Sequence, residues 1–86
     1  MKSIEIYTSM LCPFCARAKA LLKSKGVQFK EIDVTADAAL RQVMMKRAEG
    51  AHTVPQIFVD DMHIGDCDYI HKLDAAGKLN QILGIA

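Results

Sequence analysis

The order of hydrophobic patterns along the chain predicts an α/β fold: a four-stranded mixed sheet flanked by helices, in the order β-α-β-α-β-β-α. Three observations carry this. The chain opens strand, helix, strand, an arrangement that closes as a right-handed parallel crossover. Two short apolar runs are separated only by Asp60-Asp61, a spacing that suits an antiparallel hairpin. Two stretches with helical spacing end at Gly26 and Gly50, as helices do. A sheet with both parallel and antiparallel neighbours is expected to carry helices on its faces.

Each element has its own signal. Ile4-Glu5-Ile6-Tyr7 alternates apolar and polar and is bounded by Thr8-Ser9, so residues 4–7 read as a short strand. Residues 15–25 are rich in Ala, Leu and Lys and place Ala18, Leu21 and Leu22 on one helical face. They end on Lys23 and Lys25, and Pro13 fits the first turn, where a missing N–H costs nothing. The β-branched and aromatic content of residues 27–34 predicts a second strand, although Val27/Phe29 and Ile32/Val34 lie on opposite phases of the alternation. Over residues 35–48, Ala36, Leu40, Val43, Met44 and Arg47 form one face of an amphipathic helix. Residues 56–59 and 62–64 are the hairpin strands. Beyond Gly65, Ile70, Leu73, Leu79, Ile82 and Leu83 predict a helix broken near Gly77 and a last short turn.

Composition bounds the function. The 86 residues are expected to form a single domain, 1–86, with little stability to spare. A content of 51% hydrophobic and 24% charged residues fits a packed core rather than a disordered chain. Eleven Lys+Arg against ten Asp+Glu leave a net charge of +1, too balanced to point to nucleic acid or an anionic membrane as partner. Three cysteines are an odd number for a disulfide-stapled secreted scaffold, and residues 1–7 lack the apolar stretch of a leader peptide. A cytoplasmic protein is expected, and a monomer.

The chemistry concentrates at Cys12-Pro13-Phe14-Cys15, where the first strand hands over to the first helix. Residues three apart on a helical turn have Cα atoms about 5–6 Å apart, within the range a disulfide tolerates. Cys12 precedes the helix, near its unpaired N–H groups and the positive end of its dipole, which favours thiolate over thiol. Cys15 falls within the first turn and is expected to be shielded. This asymmetry assigns attack to Cys12 and resolution to Cys15. Two inert buried thiols would be the bland alternative, and Pro13 fits a helix start better than a core strand. A zinc site would need Cys12, Cys15, Cys67 and one of His52, His63 or His71; no second CxxC or HxxxH supports it, and no metal is expected.

Together with this pair, Tyr7-Thr8, Arg17-Ala18-Lys19, Thr53-Val54-Pro55-Gln56-Ile57-Phe58 and His63-Ile64-Gly65-Asp66-Cys67-Asp68 resemble the dithiol glutaredoxins of bacterial type over nearly the whole chain. The resemblance implies a thioredoxin-like fold, with glutathione as reducing co-substrate and protein disulfides or glutathionylated proteins as substrates. It further implies a cis Pro55 facing the cysteines, and backbone pairing of Val54, beside Thr53, with the cysteinyl part of glutathione. By the same resemblance, the helix N-terminus at Cys67 and Asp68 would hold the γ-glutamyl carboxylate, with the Asp68 carboxylate meeting its amine.

Several positions depart from the family pattern: Ser9 for a lysine, Phe14 for a tyrosine, Ala51-His52 for a basic or amide side chain, Asp66 for a glycine and Tyr69 for an acid. They weaken the charge complementarity to glutathione, for which Lys46, Arg47 or His52 could compensate. Lys19, Lys23, Lys25, Lys46 and Arg47 read most simply as solvated charge. The other readings the resemblance leaves are a redoxin recharged by thioredoxin reductase and a glutathione-ligated [2Fe-2S] carrier.

Overall fold

The structure is a computed structural model that describes residues 2–85. Its elements run β1 (Ile4–Thr8), α1 (Pro13–Ser24), β2 (Lys30–Asp33), α2 (Ala38–Arg47), β3 (Gln56–Val59), β4 (Met62–Gly65), α3 (Cys67–Ala75) and α4 (Leu79–Leu83). The sheet order is β2-β1-β3-β4. β1 pairs parallel with β2, with Glu5 opposite Lys30, and antiparallel with β3, with Ile6 opposite Ile57. β3 and β4 form the hairpin, with Val59 opposite Met62 and an irregularity between Ile57 and Phe58 that leaves Ile64 extra. At the hairpin tip Asp60 and Asp61 have φ of 49° and 67°, the left-handed pair that a two-residue turn between twisted strands needs.

Both faces of the sheet are covered. Ile4, Ile6, Ile57 and Val59 pack against Ala18 and Leu22 of α1, Cys67 and Ile70 of α3, and Leu79 and Leu83 of α4. On the other face Tyr7, Val34 and Phe58 meet Met44 of α2 and Ala48. This explains the conflicting phases of the second strand. Val27 and Phe29 serve the first cluster while Ile32 and Val34 serve the second, because alternate residues point to opposite faces. The strand itself starts later than predicted, at Lys30.

α2 is also shorter than its pattern. Asp37 caps it, accepting the Leu40 N–H at 2.9 Å, while Asp33 holds the Thr35 N–H at 2.8 Å ahead of the cap. Ala36 therefore lies outside the helix, and the inward face is Leu40, Met44 and Ala48, with Val43 at 47% exposure.

Three of the cations expected to be solvated are paired. Lys19 meets Glu31 and Lys25 meets Asp74. Arg47 departs furthest from expectation: its guanidinium lies 4.2 Å from the Phe58 ring centroid and donates to the Tyr7 hydroxyl at 2.7 Å and to Glu5 at 2.9 Å. It also reaches Asp61 at the hairpin tip, at 3.2 Å. Arg47 thus ties α2 to β1 and the hairpin. Arg47→Met is expected to lower stability by about 2 kcal/mol, from charged hydrogen bonds and the cation–π contact, read as a shift of the urea midpoint. A surface arginine would shift it by less than about 0.5 kcal/mol.

Candidate active site

The end of β1 carries the chain through Ser9, Met10 and Leu11 to the start of α1. Leu11 is fully exposed with φ of 55°, a left-handed conformation that a leucine rarely adopts. Cys12 is the N-cap of α1. Its backbone is extended, and its Sγ, in the place an oxygen takes in most caps, accepts the Cys15 N–H at 3.1 Å. Pro13, at the first helical position, has no N–H to leave unpaired. Negative charge on Cys12 is therefore met by a hydrogen bond and by the helix N-terminus together.

Cys15 is 2% exposed, whereas Cys12 is half-buried. Burial pushes the Cys15 thiol from its ordinary 9.0 up to about 12, aided by its hydrogen bond and charge interaction with Cys12; the Ser9 backbone and Lys19 act in the opposite direction. In the reduced protein the folded chain therefore keeps a proton that the unfolded chain releases between pH 9 and about 12, so stability falls as pH rises through that window. Urea midpoints of reduced wild-type and Cys15→Ser protein, compared at pH 8 and 10.5, should show a steeper loss for the wild type. Equal slopes would contradict the buried-thiol account.

Across from Cys12 lies the segment that precedes β3. The Val54-Pro55 bond is cis, Pro55 is buried, and the Val54 carbonyl lies 3.8 Å from Cys12 Sγ, within reach of a weak S–H donor. Buried Gln56 fixes this segment: its Nε2 donates to the Thr53 carbonyl at 3.0 Å, and its Oε1 lies 2.6 Å from His63 Nε2. α3 closes the third side. Asp66 caps it, accepting the Tyr69 N–H at 3.0 Å, and the N–H groups of Cys67 and Asp68 have no carbonyl within the helix to pair with. Gly65, with φ of 145°, lets α3 start this close to β4, since a Cβ there would sit 2.8 Å from the Tyr69 ring.

The result is a cleft of about 260 Å³ lined by Phe14, Thr53, Val54, Pro55, Asp66, Cys67 and Asp68. All five residues proposed from sequence for a ligand lie on it, and Cys12 stands at its edge beside Val54. Sequence reasoning missed Lys72, which lines an adjoining depression with Thr53, Asp68 and Tyr69. Its signal was available, since Lys72 follows Asp68 by four residues and so shares its helix face. Of the cations proposed to compensate for the departures, Arg47 is committed to Glu5, Tyr7 and Asp61, and Lys46 lines a depression on α2 with Val43 and Gly50.

Cys67 is 2% exposed, and burial raises its pKa. Its sulfur lies 3.5 Å from His71 Nδ1, which is 2.8 Å from the Cys67 carbonyl and so serves as its donor. The buried thiol is shielded from oxidation or cross-linking. Among the described residues no three or more His, Cys, Asp or Glu side chains gather as a metal site, and no helix is long and apolar enough to cross a membrane.

Known proteins share much of this sequence and its fold. The chain is 56% identical over 80 residues to a probable glutaredoxin of Synechocystis sp., covering 93% of this chain and 91% of that protein. It is 54% identical over 83 residues to glutaredoxin 3 of Escherichia coli, covering 96% and 99%. Among solved structures, the buckwheat glutaredoxin–glutathione complex superposes with a TM-score of 0.87 at 26% identity, covering 99% of this chain and 83% of that one. The glutaredoxin of Brucella melitensis gives 0.82 at 48% identity, covering 94% and 87%. The glutaredoxin family pattern itself matches residues 4–64, so the chain, with its thioredoxin fold, belongs to the glutaredoxins, a family of thiol-disulfide oxidoreductases.

Proposed function

We propose that this glutaredoxin is a glutathione-dependent oxidoreductase that reduces protein disulfides by a dithiol mechanism and also releases glutathione from mixed disulfides. The observation that carries the reading is the placing of one half-exposed sulfur, capped by a helix N–H, at the edge of a cleft bounded by extended backbone at Val54 and a free helix N-terminus at Cys67. The cleft offers glutathione a place for each part. Its cysteinyl backbone pairs with Val54 as an added strand, beside Thr53 and Pro55. Its γ-glutamyl carboxylate meets the N–H groups of Cys67 and Asp68, and its amine meets the Asp68 carboxylate. Lys72 lines the adjoining depression with Asp68, and the Arg17 charge reaches Cys67 from α1.

Cys12 attacks the substrate disulfide as thiolate, and a mixed disulfide forms as the substrate's other sulfur leaves. Cys15 then attacks Cys12 Sγ, releasing the reduced substrate and leaving the internal disulfide, which two glutathione molecules reduce. Bonding Cys12 into a mixed disulfide removes its thiolate charge and the thiol–thiolate hydrogen bond, two of the causes that raise the Cys15 pKa. The buried thiol is thus protected at rest and becomes easier to ionise when it is needed.

A coupled assay tests the proposal. Glutathione, glutathione reductase and NADPH should sustain reduction of a glutathionylated peptide and of a protein disulfide, while NADPH with thioredoxin reductase alone should give background rates. The reverse pattern would overturn glutathione dependence.

A further inference from the structure

A second cleft, of about 580 Å³, touches the cysteine pair and takes no part in the steps above; its wall includes Cys12, Cys15, Lys19, Glu31 and Asp33. Lys19 follows Cys15 by four residues on α1 and so shares its face, one turn along. Its ammonium is held in place. Lys19 Nζ donates to Glu31 Oε2 at 3.0 Å, and the same oxygen accepts from the Thr8 hydroxyl at 2.7 Å. Thr8 is 1% exposed at the end of β1, and Glu31 lies on β2, so two strands fix the carboxylate that fixes the lysine. The bonds from Thr8 and Lys19 hold the Glu31 carboxyl below its ordinary range, so the clamp stays charged at neutral pH.

From this geometry we infer that Lys19 is a positioning cation for the resolving step, holding Cys15 as a thiolate while it attacks Cys12, with Glu31 and Thr8 as its clamp. The inference rests on the dithiol reading above. In this step Cys15 Sγ bonds to Cys12 Sγ as the bond from Cys12 to the substrate sulfur breaks. The protein dithiol is oxidised by two electrons, the substrate sulfur leaves as a reduced thiolate, and the Cys15 proton passes to solvent in the cleft.

The charges around Cys15 are few. α1 supplies Cys12 and Lys19, and β2 supplies Glu31, already paired with Lys19, and Asp33, which is bonded to Thr35 and opposes the cation. Residues 53–55 bring no titratable group, and Asp66, the cap of α3, lines the other cleft with Cys67 and Asp68. The attraction of Lys19 for the Cys15 thiolate acts in the required direction.

The test uses the reduced full chain and 2,2′-dithiodipyridine, an uncharged disulfide whose approach a lysine does not steer. The first equivalent of pyridinethione reports attack by Cys12, and the second reports ring closure by Cys15. In Lys19→Met and Lys19→Gln the ratio of second to first rate should fall roughly tenfold at pH 7, and the pH profile of closure should move up by about one unit, because closure follows the thiolate fraction. Lys19→Arg, which keeps the cation, should restore both. A packing role would neither move the pH profile nor be rescued by arginine. Wild-type ratios and profiles in both neutral variants would overturn the inference. A wild-type protein that releases no second equivalent would overturn the dithiol reading, and the inference with it.

Discussion

Replacing Cys12 with serine is expected to abolish every disulfide reaction of the protein, whereas replacing Cys15 with serine is expected to separate two of them. The difference follows from placement. Cys12 is the half-exposed sulfur that caps α1 and borders the cleft, so without it no nucleophile remains there. Cys15 is 2% exposed, with its thiol pushed up to about 12, so it cannot stand in as the first attacker at neutral pH. In the proposed mechanism it acts only on a sulfur already brought to it. Cys15→Ser should therefore keep release of glutathione from a glutathionylated peptide to within roughly tenfold, since a second glutathione can take the first from Cys12, while protein-disulfide turnover falls to background. The two activities are measured on one preparation with glutathione and glutathione reductase. Equal loss of both in Cys15→Ser, or residual activity in Cys12→Ser, would contradict these roles.

Truncation of Phe58 to alanine is expected to cost about 3–5 kcal/mol, the range for removing a fully buried ring. Phe58 is 0% exposed in the middle of β3 and meets the Tyr7 ring edge-on at 5.6 Å. The Arg47 guanidinium covers it at 4.2 Å, and the His63 ring packs at 5.1 Å. The loss therefore removes a cation–π partner along with the buried area. A domain of 86 residues is stable by only about 5–10 kcal/mol, so the variant should unfold at a much lower urea concentration and near physiological temperature. The cleft should suffer too, because β3 continues directly from Pro55. A urea midpoint within about 0.5 M of wild type would show that the face under α2 carries less of the stability than its burial implies.

Much of the fold was legible because its signals are local. The Asp60-Asp61 turn, the glycine after α1 and the break near Gly77 lie close to where the residues place them. The Cys12-Pro13-Phe14-Cys15 spacing marked the reactive pair, and its position before a helix gave the two sulfurs unequal exposure. The misreadings share a cause. The phases of Val27/Phe29 and Ile32/Val34 conflict only for a strand with one buried face, and whether the second face is covered depends on α2, which lies later in the chain. Val43 fitted the helical stripe but faces outward, because Leu40, Met44 and Ala48 already fill the contact with the sheet.

Charge was the least legible property. Lysine and arginine on helices read as solvated wherever no partner lies within a turn, yet Lys19, Lys25 and Arg47 find theirs on other elements, at Glu31, Asp74 and Glu5. The sequence by itself determined the chemistry of the protein: a cysteine pair at a helix start, in the family setting that gives it redox work. Only the tertiary structure decided which groups surround that pair. The cis segment at Val54-Pro55, the start of α3 and the Thr8–Glu31–Lys19 clamp come from separate parts of the chain, and they converge because a two-faced sheet brings its strand ends and helix starts to one edge.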